Sequence, residues 1–546
     1  MDGSGRAVRR LALIGLDGAT FRVLDPLGAE GVLPNLTRLR ERGLEAVLRS
    51  TIPAYTPPAW ISMATGVNPG RHGVFGFLDS TPQESPRIAH SGLIDAVPMW
   101  RYLSDIGSPV GVLNVPMSYP PHEVSGFMVA GGLASGWTDP EMPGFASSPE
   151  IASLVGEVAG EHYPLDVPVN YERDWRSPAV TDRLQHAQEL RQKVLAALIE
   201  RFDPQVVFAV FEGPDRIQHV HYQYLVECSE WYGRPEASEL RARDFAFFAA
   251  VDRAVGDLVD WAGDDGVVVV VSDHGAGPWE KTVNSNLLLQ SWGYLQLPKL
   301  SVLTRAKLVA GPVQRAARRI LPMRLLQKAK ARVGAGIAWD RSRAFSSHVA
   351  EQGIHINERE ALPRGVVDPA EVPGIEEEIA ERFGDLMDPD DGRPVTDRVY
   401  RRQEVIRGPH ASRAPHLFPI LRDQRYELSD TLAADSPFTD HRDRPWGYHH
   451  VDGVFLAAGP GVKAERLGAG LDIVDVLPTA FHLGGIPVPQ GLDGRVVTEA
   501  LAGEAAARPV TTAQAETEQQ RSGENPFSPE EEAQIEESLR GLGYIE

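Results

Sequence analysis

Residues 51–73 read TIPAYTPPAWISMATGVNPGRHG, and the rest of the chain is organised around this stretch. Its dense Thr, Pro and Gly residues require the backbone to turn sharply more than once. A helical pattern begins near Trp60 and stops at Gly66, where a left-handed residue would end it. Thr56 therefore lies just before a helix N-terminus, where backbone N–H groups and the helix dipole favour an anionic oxygen. A hydroxyl there could act as a nucleophile if another group removes or masks its proton. On its own, however, a Thr-Pro sequence is more often only a turn or a cap.

The bulk properties limit the class of protein. At 546 residues the chain exceeds the ~250–300 residues of one compact core, so we expect one large domain with insertions, or two domains. A net charge of −21 argues against nucleic acid as a general partner. The single cysteine, Cys228, excludes an internal disulfide and a thiolate metal cluster, and it fits a reducing compartment.

The N-terminus has arginines followed by an apolar run from Leu11 to Leu16. This run is too short for the hydrophobic region of a signal peptide, and it leads into Asp-Gly rather than a small-residue cleavage site. No window approaches the ~18 apolar residues of a membrane span. We therefore expect a cytoplasmic protein.

Apolar runs at 11–16, 205–211 and 266–271 predict buried strands. Strong helical patterns lie at 181–202 and 241–261. Such alternation predicts a mostly parallel sheet with helices on both faces, in which ligands bind beyond the carboxyl ends of the strands.

Acidic and histidine residues follow these predicted strands. Asp17 follows the first strand, and Asp215 and His219 follow the second with a spacing of four, which suits one metal ion on one face of a helix. Asp273 and His274 end the third strand and point in different directions, as residues between two neighbouring metal sites must. A pair of histidines, His449 and His450, precedes a late strand predicted over 453–458. Carboxylate and imidazole ligands without thiolate suit zinc, manganese or iron rather than calcium.

In combination the motifs resemble the alkaline phosphatase superfamily. They are LIGLDG (13–18), TPPAWISMATGVNPGRHGVFGF (56–77), EGPDRIQHVHY (212–222), VVSDHG (270–275) and GYHHVDGVFLAAGPGV (447–462). The sequence is most similar to the type I phosphodiesterase/nucleotide pyrophosphatase branch and its bacterial relatives labelled predicted phosphohydrolase or phosphomutase. The resemblance spans about 11–497. It implies an α/β fold with a three-layer α/β/α core, a mostly parallel central sheet and lid insertions.

Carried over residue by residue, the resemblance implies two divalent metal ions, usually zinc, with manganese as an alternative. One ion would be held by Asp215, His219 and His449, and the other by Asp17, Asp273 and His274 together with Thr56. His449 is preferred over His450 because the family has a His three residues before the Asp of Asp-Gly, here Asp452. The resemblance also implies that Thr56 attacks phosphorus in line and that water then releases the phospho-threonine. His72 matches a family position that is not known to be a ligand.

Departures from the family pattern bear on the substrate. An Asn that binds a phosphoryl oxygen twenty-one residues after the nucleophile is replaced by Phe77, which we expect to present an aromatic face to the substrate. No arginine stands between Thr56 and Arg71 to hold the extra charge of a monoester. The sulfatase pattern C/S-x-P-x-R is absent. We therefore expect small-molecule phosphodiesters or pyrophosphates as substrates.

Two alternatives remain open. The same superfamily includes phosphomonoesterases and phosphomutases or phosphotransferases, in which the phosphoryl group passes to an acceptor other than water. In another class, the chain would be a catalytically silent binding protein that docks through a basic segment at 301–343. The presence of all seven expected metal-site residues disfavours this second alternative, because a silent relative would be free to lose them.

The predicted organisation is a catalytic domain over 8–502 with insertions at about 131–175 and 299–343. A flexible linker is expected over 503–527 and a C-terminal helix over 528–546, with a capping box of Ser528 and Glu531. Between 301 and 343 the chain has eleven Lys and Arg against one acid, Asp340. We expect these charges either to pair with the acidic body or to contact an anionic membrane surface or polyanion.

Overall fold

The computed structural model describes residues 9–79, 83, 87–132, 137–298, 337–347, 352–432, 434–468, 470–514, 525–529, 531–533 and 535–536. Parts of four predictions fall elsewhere: the insertion expected at about 131–175 lies outside the described residues at 133–136, and the linker expected over 503–527 lies outside them at 515–524. The basic segment expected over 301–343 lies outside the described residues as far as 336. The C-terminal helix expected over 528–546 lies outside them at 530, at 534 and from 537 onward.

A sheet of eight strands organises the molecule. We number its strands β1–β8 in chain order: Leu11–Leu16, Leu44–Arg49, Val110–Leu113, Gly126–Val129, Val206–Phe211, Val267–Val271, Asp452–Ala458 and Leu471–Asp472. Their spatial order is β8-β2-β7-β6-β1-β5-β3-β4. Neighbouring strands are parallel, except that β7 is antiparallel to both β6 and β2.

Both faces of this sheet are buried. In β1, Ala12, Ile14 and Leu16 pack in one hydrophobic cluster, whereas Leu11 and Leu13 pack in another. The first face is covered by helices Phe21–Ala29, Pro34–Arg42, Pro149–Ala159, Pro178–Phe202, Gly213–Leu225 and Pro235–Ala262. The second is covered by helices Thr56–Thr65, Met99–Asp105 and Val476–Gly484. The predicted three-layer core with a mostly parallel sheet is confirmed, since continuous apolar strands need cover on both sides.

Further elements of the described residues lie outside the central sheet and the helices that cover it. The other helices are Pro69–His72, Tyr171–Asp174, Ser285–Ser291, Val372–Gly384, Arg402–Val405 and Gly503–Ala507, with 3-10 turns at Ser91–Leu93, Pro369–Glu371, Ala411–Arg413, Ile473–Asp475 and Thr498–Ala500. Pairs of short strands join Leu78–Asp79 to Arg87–Ile88, Trp137–Thr138 to Tyr163–Pro164, Gly275–Pro278 to Gly447–His450, and Val488–Pro489 to Thr512–Ala513.

The described residues between 281 and 440 build a core of their own. One sheet pairs Lys281–Asn284 with Tyr426–Ser429 and Phe438–Asp440, and another contains Ala344–Ser346, Ile354–Ile356, Leu417–Leu421 and Thr396–Arg401. Their apolar side chains form a separate cluster that includes the face of helix Val372–Gly384. Inside it, the buried Lys281 ammonium donates to both carboxylate oxygens of Asp388, at 2.6 and 2.7 Å.

Two stretches are more ordered than their sequence indicates. The stretch 131–175 lacks clear periodicity, yet it contains helix Pro149–Ala159 and buries Phe145, Val155 and Tyr163 in the first hydrophobic cluster. Residues 503–514, expected as the start of a linker, form a short helix and a strand, because Ala505 is buried and Val488–Pro489 offers a pairing edge.

The capping box predicted at the C-terminal segment is present. Ser528 N–H donates to Glu531 Oε2 at 2.6 Å, and Glu531 N–H donates to Ser528 Oγ at 3.3 Å. The preceding Phe527 stacks on Tyr119 with ring centroids 5.2 Å apart, which connects this segment to the main body of the molecule. Across the part of the chain that the structure describes, no helix is both long and apolar enough to cross a membrane.

Candidate active site

Two neighbouring parallel strands deliver the first three site residues to one edge of the sheet. Asp17 directly follows β1, and Asp273 and His274 follow β6, which pairs with β1 in register. His274 Nε2 lies 3.3 Å from Asp273 Oδ2 and 3.7 Å from Asp17 Oδ1. We call Asp17, Asp273 and His274 the strand-end group. All three side chains are buried.

The helix Thr56–Thr65 packs across this group. Thr56 Oγ1 is 3.2 Å from His274 Nε2, and one turn later Trp60 Nε1–H donates to Asp17 Oδ2 at 3.1 Å. Trp60 reaches this position because Gly15 of β1 has no side chain: a Cβ there would lie 2.4 Å from the indole ring. The helix ends at Gly66 in the left-handed conformation, as predicted.

The remaining site residues come from a helix and from one strand of a two-stranded antiparallel sheet. Asp215 and His219 lie one turn apart on helix Gly213–Leu225, with His219 Nε2 3.2 Å from Asp215 Oδ2. His449 lies on the strand Gly447–His450, which pairs antiparallel with Gly275–Pro278, and it places Nε2 3.7 Å from Asp215 Oδ1. We call Asp215, His219 and His449 the helix–hairpin group. Asp215 also approaches the first group, because its ligand oxygens cluster with Asp17 and His274.

Gly18 makes this convergence possible. It adopts a φ of +65°, and a Cβ on it would lie 2.9 Å from Asp215 Oδ1. Its N–H donates to Asp273 Oδ1 at 3.1 Å. A glycine is therefore required where the chain leaves β1, because any side chain would push Asp215 away from Asp17.

The three histidines share one orientation. His274 Nδ1–H donates to Gly275 O at 3.0 Å, and His449 Nδ1–H donates to Ala54 O at 3.1 Å. His219 Nδ1 faces the carbonyl oxygen of Gly447 at 3.4 Å. Because a neutral imidazole carries one proton, Nδ1–H donation leaves the Nε2 lone pair directed at the carboxylates, as in metal sites.

His450 is placed differently from His449. Its Nδ1 accepts the N–H of Asp452 at 3.1 Å, and its Nε2 lies 3.3 Å from an Arg22 guanidinium nitrogen. His450 belongs to neither group of candidate ligands in the described chain. The choice of His449 over His450 as a ligand stays a prediction.

The donor set fits divalent cations. Tetrahedral zinc with ligands at 2.0–2.1 Å places neighbouring donor atoms about 3.3 Å apart. The separations around His274 Nε2 are 3.2, 3.3 and 3.7 Å, and those within the helix–hairpin group are 3.2 and 3.7 Å. Asp17 Oδ1 and Asp273 Oδ2 are buried without a hydrogen-bond partner among the described residues. Bound cations would give these orphaned oxygens a partner.

The pKa shifts of the buried site residues also favour bound cations. Burial raises the pKa of Asp17 well above its usual range, and the charges of Asp273 and Asp215 raise it further. Burial also raises the pKa of Asp273. Burial lowers the pKa of His449, which keeps this imidazole neutral and able to bind a metal. The carboxyl groups of Asp17 and Asp273 are therefore unfavourable as anions unless cations compensate them. For Asp215 the effect of burial is outweighed by His219, and the pKa of Asp215 lies below its usual range.

Two predictions around Thr56 need qualification. Thr56 is the first helical residue, but Pro57 and Pro58 follow it, so only its own N–H is available among the first three helix residues. The expected cluster of backbone donors is therefore reduced to one.

Phe77 is only 7% exposed, and its ring packs edge-on against Tyr55 at 5.3 Å, so most of its face is occupied by protein. Its role in substrate binding stays a prediction.

His72, at the family position that is not known as a ligand, lies outside the site. It is fully buried, accepts the N–H of Val74 at Nδ1 and therefore donates Nε2–H to Ser62 Oγ at 3.0 Å. This histidine joins the loop after helix Thr56–Thr65 back to that helix.

Sequence reasoning missed two side chains beside the helix–hairpin group. Arg216 donates from Nη1 to Asp215 Oδ2 at 3.1 Å. Its position next to Asp215 in the motif EGPDRIQHVHY was the only available signal. The hydroxyl of Tyr171 forms a hydrogen bond with His219 Nδ1. These residues are 48 positions apart, and no sequence pattern links them.

The chain is similar to known proteins in sequence and in fold. A family model described as type I phosphodiesterase / nucleotide pyrophosphatase matches residues 11–435. Two solved structures of phosphonoacetate hydrolase from Sinorhizobium meliloti 1021, with phosphonoformate and with phosphonoacetate, are similar at TM-scores of 0.52 and 0.51; both are 18% identical and cover 88% of this chain and 95% of that one. A murine ectonucleotide pyrophosphatase / phosphodiesterase 5 structure with AMP has a TM-score of 0.46 at 13% identity, covering 90% and 100%. A search of curated proteins found no match.

The fold and the family match define a phosphoric ester hydrolase of the alkaline phosphatase superfamily. Within that class, the chain belongs to the type I phosphodiesterase / nucleotide pyrophosphatase family. The resemblance stated from the motifs is thereby confirmed. The buried aspartates and histidines of the chain could hold metal ions.

Proposed function

We propose that the chain cleaves phosphodiester or pyrophosphate bonds of small molecules by nucleophilic attack of Thr56, with two divalent cations, zinc or manganese, at its site. The strand-end group would hold one cation and the helix–hairpin group the other. The observation that carries the proposal is the convergence of three imidazole Nε2 atoms and three aspartates beside one buried threonine hydroxyl.

Each of these residues has a task in the proposed reaction. Thr56 Oγ1 attacks phosphorus, forms a phospho-threonine and expels the alcohol or phosphate leaving group. Water then attacks the same phosphorus and restores the hydroxyl. His274 Nε2 lies 3.2 Å from Thr56 Oγ1 and fixes the direction of its hydroxyl. The bound cations would supply positive charge that lowers the pKa of the nucleophile and stabilises the phosphoryl oxygens in the transition state.

The preference for diesters rests on charge. The family name includes phosphodiesterase, and a diester has one negative charge fewer than a monoester dianion. The guanidinium of Arg216 already pairs with Asp215 and Asp166, so it is not free to hold an additional phosphate charge. We also retain a cytoplasmic location as a proposal, since the chain has a single cysteine.

The test is turnover of bis-p-nitrophenyl phosphate by zinc-loaded protein. We expect Thr56→Ala to lower kcat by about 10³-fold or more while zinc content stays near that of the wild type. Thr56→Ser, which keeps a hydroxyl, should retain measurable turnover. Acid-quenched wild-type protein should yield a phosphorylated Thr56 peptide by mass spectrometry. Near wild-type turnover in Thr56→Ala would reject the nucleophile assignment, and active protein without bound zinc or manganese would reject the two-cation scheme.

A further inference from the structure

Tyr171 connects the stretch 131–175 to a candidate metal ligand. Its hydroxyl forms a hydrogen bond with His219 Nδ1, and the two rings meet edge-on at 5.1 Å. Two indoles hold the tyrosine ring in place, Trp279 at 5.2 Å and Trp446 at 5.3 Å. The hydroxyl is therefore positioned by packing and is not free to swing away.

The proton on His219 explains why this contact matters. For Nε2 to offer a lone pair, Nδ1 must carry the proton and donate it. The carbonyl of Gly447 is available at 3.4 Å, a long hydrogen bond, whereas the Tyr171 oxygen is close. An acceptor on the second ring nitrogen fixes the tautomer of a metal-binding histidine and increases its basicity.

A second connection runs from the same stretch to Asp215. Asp166 Oδ1 accepts hydrogen bonds from Arg216 Nε at 3.3 Å and Nη2 at 3.2 Å. The other end of that guanidinium donates to Asp215 Oδ2 at 3.1 Å. Both Asp166 and the Arg216 side chain are largely buried, so the fork cannot rotate freely.

We infer that Tyr171 is a positioning residue for His219, and that the stretch 131–175 thereby sets the metal affinity of the helix–hairpin group and not of the strand-end group. Asp166 acts in the same direction on Asp215 through Arg216. The strand-end group has a different support, since its contacts come from Trp60, Gly18 and Gly275. The inference rests on the proposed function, because it assumes that both groups bind divalent cations.

The experiment is a zinc titration of the full chain in competition with a chromophoric chelator. We expect two binding events in the wild type. Tyr171→Phe keeps the packed ring and removes only the hydroxyl, so it should weaken one event about tenfold and leave the other within about twofold. Asp166→Asn should weaken the same event more than the other, because it loosens the guanidinium that contacts Asp215, whose carboxylate also approaches the strand-end group.

A matched control comes from the same stretch. Tyr163 is buried and its hydroxyl donates to Asn114 Oδ1 at 2.8 Å, so Tyr163→Phe removes a comparable hydrogen bond without touching a histidine. It should leave both zinc affinities within about twofold of the wild type. A double-mutant cycle completes the test: in a His219→Ala background, Tyr171→Phe should change the remaining zinc affinity by less than about twofold.

The outcomes separate this inference from the proposed function. Two unchanged zinc affinities in Tyr171→Phe, or a loss that persists in the His219→Ala background, would overturn the positioning role while leaving the proposed function intact. Wild-type protein that binds no zinc and no manganese would overturn both.

Discussion

The two halves of the site are held in place by different parts of the molecule. The strand-end group follows two adjacent parallel strands at the centre of the sheet, so its backbone positions are fixed by a fully paired and buried ladder. The helix–hairpin group depends on a helix, on a short paired strand more than two hundred residues away, and on side chains from the stretch 131–175.

This difference has a physical consequence. Sheet registers shift only by whole residues, so the strand-end group keeps its geometry unless the central sheet itself unfolds. The helix–hairpin group can be disturbed by losing one side chain at a distance, such as Tyr171 or Asp166. We expect the two groups to differ in how easily their metal affinity is tuned.

Removal of the shared carboxylate should have the largest effect. Asp215 is close to donor atoms of both groups, whereas Asp273 belongs to one. We expect Asp215→Ala to bind almost no metal and Asp273→Ala to keep about one ion of two, with kcat/KM falling by about 10²-fold or more in both. Elemental analysis of purified protein measures the ratio.

A buried aspartate elsewhere provides the control for this comparison. Asp252 is buried and accepts the N–H groups of Asn35 and Leu36, so Asp252→Ala removes a buried carboxylate without touching either group. It should keep both ions. If Asp215→Ala retains two ions, the carboxylate is not shared and the two halves are independent.

An effect of intermediate size is expected at His72, a buried histidine that belongs to neither group of candidate ligands. Burial lowers the pKa of His72 to about 3, against 6.5 for an exposed histidine. Below about pH 6.5 the unfolded chain therefore binds a proton at His72 that the folded protein does not bind. The free energy of unfolding decreases as the pH falls from there toward 3. At pH 5 the free energy of unfolding is about 2 kcal/mol lower than at neutral pH because of this group.

The measurement is the urea midpoint of metal-free protein at several pH values. His72→Asn should flatten the decline between about pH 6 and 4, whereas His186→Asn, which changes an exposed imidazole, should leave its slope as in the wild type. An unchanged slope in His72→Asn would mean that another buried group accounts for the loss.

The smallest effect is expected at Phe77, which contacts the helix–hairpin side through Tyr55. We expect the wild type to have a higher kcat/KM for bis-p-nitrophenyl phosphate than for p-nitrophenyl phosphate. Because Phe77 is largely buried, Phe77→Asn should raise KM for the diester only about two- to tenfold. A clear preference for the monoester at equal metal loading would instead favour a phosphomonoesterase or a phosphomutase.

Much of the sheet and of the strand-end group could be predicted from the sequence. The continuous apolar run of β1 has the predicted bounds, and Asp17, Asp273 and His274 meet because the ends of adjacent parallel strands share one edge. The spacing of Asp215 and His219 was also informative, since four residues make one helical turn. In each case a short stretch of chain has one strongly preferred geometry.

Tertiary structure alone decided the rest. His449 precedes its strand whereas Asp17 and Asp273 follow theirs, and they meet only because β7 runs antiparallel to β6, a direction that an apolar run does not encode. The same holds for Tyr171 on His219 and for Asp166 on Arg216, each joined across about fifty residues. Sequence patterns report which face of an element is buried. The partner that meets that face is chosen by packing of the whole chain, where many distant contacts must be satisfied at once.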